Sequence, residues 1–405
     1  MDIAYTDEQI EVINAVKSWW KDESSQIFQY AGYPGTGKTF ILHQIIKELG
    51  LDMKDVAPMA YIGQAAINMR VNGLKNAKTI HSWIYHYTEV VVRDKNGNPV
   101  MDEFFNRPKV TMGFTYNESG LNDIKLVIID EAGSVPMSLK SDIEAAGIKI
   151  IATGDLGQLP PPCDKPAYLT SGKIYRLTKV MRQQGEKNGI LELAELAKKR
   201  KPIKFGKYGD NCIVIPESAL TLDHLKNAEV FICATNKTRD KFNKLIREKV
   251  YKRFGKLPEK GDILVCRKND WLTSSNGINL ANGLRGTVTN YPDMTLFDGD
   301  NYVINFKPDR LEDCYFTKIE CDYRYLISDH QTRMKLKSLP YNKGHKFEYG
   351  YAITTHMAQG AQYDHGIYFA ERFGDLTDKL NFTGITRFKK SLIYVIKQYW
   401  WLYII

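Results

Sequence analysis

Cysteine is scarce in this chain. Six occur among 405 residues, at Cys163, Cys212, Cys233, Cys266, Cys314 and Cys321, and no two stand in C-x-x-C spacing. The common structural zinc sites need that spacing, so none is expected. Scattered cysteines fit buried thiols in a reducing compartment. Long hydrophobic runs are missing as well. No apolar run approaches the ~20 residues that span a bilayer. The terminal YWWLYII is short and follows the strand-like SLIYVIK. The first residues, MDIAYTDEQIEVINAV, are acidic and helix-periodic and so do not read as a signal peptide. Low-complexity segments and repeats of solenoid period are also lacking. A cytoplasmic protein with no membrane association is expected.

What is present is ordinary for a globular protein, with 43% hydrophobic and 25% charged residues. At roughly 100–200 residues per domain, the length suggests two to four domains. The net charge of +9 favours a polyanionic partner, although a mildly basic protein without one would look the same.

Residues 7–20 carry apolar positions at helical spacing, namely Ile10, Ile13, Val16 and Trp20. QIFQYAG reads as a strand, followed by a glycine-rich turn and the helix FILHQIIKEL. LVIID (126–130) and IKIIATGD (148–155) look like buried parallel strands. A second strand–helix series starts at VFICAT near residue 230. Between residues 261 and 350 short β-like runs are broken by Asn, Gly, Asp and Pro; beyond them YAITTHMAQG and SLIYVIK resume the alternation of strand and helix. The expected fold class is α/β with two parallel-sheet domains. The first covers 1–175, with a hairpin insertion at 88–115. The second covers 176–268 and 346–405 and is split by a β-rich insertion at 269–345. Within TEVVVRDKNGNPVMD (88–102), Asn96-Gly97 is a strong hairpin turn.

Gly32-Tyr33-Pro34-Gly35-Thr36-Gly37-Lys38-Thr39 matches G-x-x-x-x-G-K-[ST], after a predicted strand and opening a predicted helix. Small residues let backbone N–H groups wrap phosphates, and the helix N-terminus favours their charge. Gly32, Gly35, Thr36, Gly37, Lys38 and Thr39 are therefore expected to cradle ATP. Lys38 would reach the β- and γ-phosphates, and Thr39 would ligate Mg²⁺. Asp130, ending LVIID, is the second expected Mg²⁺ ligand. The adjacent Glu131 would orient and deprotonate the attacking water. Gln158, in the loop after the next strand, is placed to sense the γ-phosphate or position that water.

Taken in order, these segments resemble a superfamily 1 helicase. The closer likeness is to its RecD-like branch, which moves 5′ to 3′ and has compact phage members. The resemblance runs from Tyr5 to about Val395 and rests on several separate motifs. It implies two RecA-like P-loop domains, and it likens the β-rich insertion to an SH3-like domain that partners a strand-separating pin at the hairpin. Thr6 to Gln9 looks like the glutamine motif, implying that Gln9 reads the adenine edge. APMAYIGQAA (57–66) resembles a segment touching single-stranded DNA, implying Pro58 and Gln64, with Gln64 where a lysine is usual. Thr79-Ile80-His81-Ser82 matches the next DNA-contacting motif, implying Thr79 and His81. LTKVMRQ (177–183) implies Arg182 as a first arginine finger, and TGITR (383–387) implies Arg387 as a second. TTHMAQG (354–360) resembles T-x-H-K-x-Q-G, implying His356 and Gln359, with Met357 where lysine is typical. Asn236, after the strand VFICAT, completes the DNA-binding set.

A motor on one strand needs a basic groove and stacking platforms. His81, Trp83 and Tyr85 are candidates, with Trp83 as readily core as base-stacking, because i, i+2, i+4 positions do not share a helix face. Lys198-Lys199-Arg200-Lys201 is a phosphate contact or a solvated surface run. The hairpin tip, Lys95 to Asn98, carries no aromatic, so it is a steric pin or a plain hairpin. The function expected is an ATP- and Mg²⁺-dependent DNA helicase. A single-stranded-DNA-stimulated ATPase without autonomous unwinding is the alternative. A catalytically dead binding protein is a third reading, opposed by the intact motif residues. Expected partners are single-stranded DNA and single-strand/duplex junctions, with a single-strand-binding protein or replisome components beyond them, and the chain is expected to be a monomer.

Overall fold

Runs such as LVIID and KIIATG have apolar side chains on both faces, so they are stable only where both faces are covered. In the computed structural model they lie at the centre of a sheet. The structure describes residues 5–33, 35–101, 108, 110–155, 160–161, 164–179, 188–294, 301–338 and 344–397. The first sheet has six parallel strands in the order Lys78–Thr79, Val56–Ala60, Leu126–Asp130, Lys149–Gly154, Ile27–Gly32, Ile174–Leu177. Leu126, Val127, Ile128 and Ile129 are fully buried. Helix Asp7–Lys21 packs on this core through Val12, Ile13, Val16 and Trp19. The expected stripe is corrected here. Ile10 is 45% exposed and Trp19 takes the buried place expected for Trp20, because Gln9, Val12, Ile13, Val16 and Trp19 form one i, i+3, i+4 face.

The second sheet runs Ala352–Thr354, Val230–Cys233, Tyr363–Ala370, Phe388–Ile396, Cys212–Pro216, Gly206–Tyr208, parallel apart from its last strand. Helix Asn236–Leu245 covers it, with Phe231 and Phe242 stacked at 4.0 Å between ring centroids. Both sheets belong to one compact unit made of residues 1–83, 121–250 and 351–405. These are two RecA-like α/β domains.

The other compact unit comprises residues 84–120 and 251–350. It holds an antiparallel sheet ordered Asp293–Met294, Asn301–Pro308, Arg285–Val288, Ile263–Cys266, Phe347–Tyr349, with Phe316–Asp322 also paired to Asn301–Pro308. Ile263–Cys266 belongs to this sheet, although it precedes residue 269. Tyr85–Val91 forms an antiparallel ribbon with Val110–Tyr116 in the same unit. The Asn96-Gly97 turn forms, with Gly97 at φ 82°, but it closes a smaller loop in which Val100 N donates to Val92 O at 2.8 Å. The TEVVV run therefore pairs farther downstream than a hairpin confined to 88–102 would place it. Among the described residues, no helix is long and apolar enough to cross a membrane.

Candidate nucleotide site and nucleic-acid interface

Strand Ile27–Gly32 ends at the phosphate loop, and helix Lys38–Glu48 starts where the loop closes. Gly37 sits at φ 81°, in the left-handed region where a side chain is costly. A Cβ there would also lie 2.6 Å from Gln9 Nε2. Lys38 Nζ donates to Gly32 O at 2.7 Å and to Tyr33 O at 3.3 Å. The ammonium therefore rests on loop carbonyls that an incoming phosphate would replace. Pro34 lies outside the described residues.

Gln9 packs against the phosphate loop. It is fully buried; its Oε1 accepts from Thr6 N at 3.0 Å and its Nε2 donates to Thr36 O at 3.0 Å. The side chain closes a capping box and braces the phosphate loop.

Asp130 ends its strand 8% exposed. Burial, reinforced by the neighbouring Glu131 and opposed by Lys38, pushes its carboxyl up to about 6. A buried carboxylate in this state gains from a nearby cation. Asp130 and Thr39 together suit a hard divalent ion that takes one carboxylate, one hydroxyl and phosphate oxygens. Glu131 N donates to Asp130 Oδ1 at 2.9 Å. Glu131 itself holds φ 51°, a conformation that costs about 1–3 kcal/mol in a non-glycine residue and clusters at functional sites.

A cavity of about 360 Å³ brings these groups together. Lys38, Thr39, Asp130 and Glu131 line one wall, and Gly360 and Arg387, from the second sheet's side, line the other. Arg387 is 3% exposed and donates to Thr383 O, Ala361 O and Thr386 Oγ1, all neutral oxygens. A buried guanidinium on a phosphate-sized cavity is set up to receive an anion. Asn68 Nδ2, from the first domain, donates to Gly360 O, so the two domains meet beside the cavity. Gln158 and Arg182 lie outside the described residues.

The residues expected to touch a nucleic acid divide into two kinds. Pro58 is buried inside its strand; its carbonyl accepts from Trp83 Nε1 at 3.0 Å, which makes it a support for Trp83. Trp83 is half-buried, with Lys78 Nζ 4.9 Å from its ring centroid. Thr79 Oγ1 meets Ser82 Oγ at 2.8 Å and caps the turn carrying His81. The His81 ring lies 6.0 Å from Tyr61. Gln64 is half-buried in the first turn of helix Gly63–Val71. On the second domain, Asn236 opens its helix beside the Thr235 cap, which Glu371 grips through Thr235 N at 3.0 Å. His356 is exposed and Gln359 is 6% exposed.

Three features escape sequence reading. Arg239, 1% exposed, donates to Met357 Sδ at 3.8 Å, so a cation does stand beside the position where the lysine is lacking. Glu8 accepts from Thr178 N at 2.6 Å and Lys179 N at 3.0 Å. In the 198–201 run, Lys198 covers the Tyr33 ring at 3.9 Å, Lys199 pairs with Glu195, and Arg200 pairs with Asp378. Lys199 is paired within its own helix, whereas Lys198 and Arg200 reach across the fold. Apart from the Lys199–Glu195 helix pair, these partners are distant in sequence and meet only in three dimensions.

The AAA domain family model matches residues 4–214, just over half of the 405-residue chain. The chain is 26% identical over 212 residues to the ATP-dependent DNA helicase RRM3 of Saccharomyces cerevisiae, a match covering 46% of this chain and 26% of that protein. It thus spans about a quarter of the length of that curated relative. In fold it is similar to the Pif1 helicases described in DNA unwinding at forked duplex DNA by two coordinating molecules. There the TM-score is 0.58 at 19% identity, covering 97% of this chain and 92% of that one. Bacteroides Pif1 with ADP-AlF3 and single-stranded DNA gives 0.57 at 18%, covering 97% and 92%. Pif1 from Candida albicans gives 0.54 at 17%, covering 97% and 95%. The complete phosphate loop, the strained Glu131 and the family match over the first domain agree: this chain belongs to the AAA domain family and carries the fold of the solved Pif1 helicases.

Proposed function

We propose that this chain is an ATP-dependent DNA helicase that moves along single-stranded DNA, 5′ to 3′, and unwinds duplex DNA. One observation carries the reading: Lys38 and Arg387, from two different RecA-like domains, line one cavity. In this proposal Gly32, Gly35, Thr36, Gly37 and Lys38 hold the phosphates. Thr39 and Asp130 hold Mg²⁺, which when bound neutralises developing phosphate charge. Glu131 takes the proton of the attacking water, with Gln158 positioning that water. Arg182 and Arg387 stabilise charge in the transition state. Closure on the γ-phosphate and release after hydrolysis move the domains relative to each other, because the two states differ in nucleotide affinity.

The proposed track uses Gln64, Thr79, His81 and Trp83 on the first domain and Asn236, His356 and Gln359 on the second. The names of the relatives support DNA as the substrate, since RRM3 is called a DNA helicase and the Bacteroides Pif1 structure contains single-stranded DNA. The division expected from sequence is 1–175, 176–268 with 346–405, and 269–345; because Ile263–Cys266 and Phe347–Tyr349 pair inside the insertion's own sheet, the proposed SH3-like partner of the hairpin takes in 251–350. The hydrogen bond between Tyr87 of the hairpin ribbon and Asn279, at 3.4 Å, supports that partnership. A single-strand-binding protein or replisome component is proposed as a further partner.

The second reading is a translocating ATPase without autonomous unwinding. It is favoured by the hairpin turn at Asp94–Asn98, which presents no aromatic side chain. Matched duplexes with a 5′ or a 3′ single-stranded tail decide between them. The helicase reading expects unwinding of the 5′-tailed substrate alone. ATP turnover with neither substrate unwound selects the translocase.

A further inference from the structure

Glu131 lines two cavities. Besides the nucleotide cavity, it borders a second of about 180 Å³, whose walls include Ser134, Asp155, Leu169, Thr170 and Lys379. Among the described residues, Glu131 is the one lining residue the two share. A water occupies only roughly 10–15 Å³ of such space, so the cavity has room for a hydrated oxyanion. Its polarity changes along its length. The Asp155 carboxylate is 4% exposed, and with Glu131 makes the inner end acidic. Thr170 and Lys379 are exposed and make the outer rim cationic and hydroxylic. Two lining residues, Glu131 at φ 51° and Leu169 at φ 61°, hold left-handed backbone, a strain that packing must maintain. Lys379 lies near the start of helix Thr377–Ile385, and Arg387 follows its end, so one segment reaches both cavities.

We propose that this second cavity is the exit for inorganic phosphate, leaving past Glu131 while ADP is still on the phosphate loop. The inference rests on the ATPase reading of the nucleotide site. Hydrolysis frees phosphate at the end of the nucleotide next to Glu131 and Arg387. The second cavity shares Glu131 with the nucleotide cavity as a lining residue. The half-buried Glu131 and the buried Asp155 are the neck the anion must pass, and beyond them the exposed Lys379 draws it to the rim. Such a route lets phosphate leave first, and the order of product release sets the rate of many enzymes.

The test places a plug and a reversed charge at the exposed rim, Thr170→Trp and Lys379→Glu, in the full chain with single-stranded DNA present. Chemical quench measures phosphate formed on the enzyme in the first turnover. A fluorescent phosphate-binding protein measures phosphate appearing in solution. Both variants are expected to keep the wild-type rate of formation and to release phosphate slower by about tenfold, which is ~1.4 kcal/mol on that step. Release at the wild-type rate in both variants overturns the proposal, as does an equal slowing of formation and release. Wild-type protein that forms no phosphate in the quench overturns the hydrolytic site itself, and the exit with it.

Discussion

Lys38 and Arg387 line the same cavity, although they are 349 positions apart and belong to domains built on different sheets. Among the described residues, neither has a carboxylate as a hydrogen-bond partner: Lys38 Nζ rests on Gly32 and Tyr33 carbonyls, and Arg387 on Thr383 and Ala361 carbonyls. Two cations held by neutral oxygens leave room for the negative charge of a triphosphate.

Lys38→Ala is expected to abolish ATP turnover and leave the fold intact. Its ammonium hydrogen-bonds to loop carbonyls in the free protein, so little packing is lost. Steady-state hydrolysis within about threefold of wild type would refute the assignment, since phosphate contacts of this kind cost far more. A matching melting curve confirms that the variant is folded.

Glu131→Gln should bind ATP and DNA and hydrolyse slowly. The amide keeps the size of the side chain and loses the base. Equilibrium binding of a fluorescent ATP analogue, beside steady-state turnover, makes the comparison. Loss of nucleotide binding together with turnover would show that Glu131 serves the fold.

Arg387→Lys retains charge but loses the planar fork that reaches several oxygens together. Its kcat should fall by at least about tenfold, with KM for ATP changed much less, as expected of an interaction made in the transition state. A rise in KM with kcat intact would mean that Arg387 binds ground-state nucleotide only.

The Asp130 carboxyl, raised to about 6 by burial and Glu131, gives two pH effects. A cation needs the ionised form, so the Mg²⁺ concentration giving half-maximal hydrolysis should climb as pH falls through 6. For stability the sign is opposite. The folded chain holds this proton more tightly than the unfolded chain, so the associated stability is present below the ordinary aspartate range and is lost as pH rises through about 6. Asp130→Asn, free of that cost, should melt higher than wild type at pH 7.5 by a few degrees (about 1 kcal/mol is ~2–4 °C at larger domain sizes). A lower melting temperature, or a Mg²⁺ requirement flat between pH 5 and 7, would contradict this.

The sequence makes some of these elements legible and hides others for physical reasons. The phosphate loop is local, so its glycines, lysine and threonine are read directly, and LVIID before Asp130-Glu131 is a run that only a doubly covered strand tolerates. Helix phase is off by one residue at Trp19 and Trp20, because both are tryptophans and either completes an apolar stripe. Gln9 and Pro58 also make inward contacts that the sequence does not announce. Gln9 caps its own helix and holds Thr36, while Pro58 holds Trp83. The pairing of Arg239 with Met357 joins segments 118 residues apart, and nothing in local pattern announces it.

The central claim is that hydrolysis is coupled to a DNA track, and titrating single-stranded DNA into the ATPase assay tests it most directly. Turnover should rise strongly, because a strand held by both domains favours the closed nucleotide cavity. Affinity for the strand should fall with salt, with a log–log slope of about −0.7 per phosphate neutralised, so the DNA concentration needed rises. His81→Ala should weaken strand binding and the stimulation while changing basal hydrolysis less. A flat response at low salt, from protein that hydrolyses ATP unaided, would contradict the motor and leave an ATPase with a different partner.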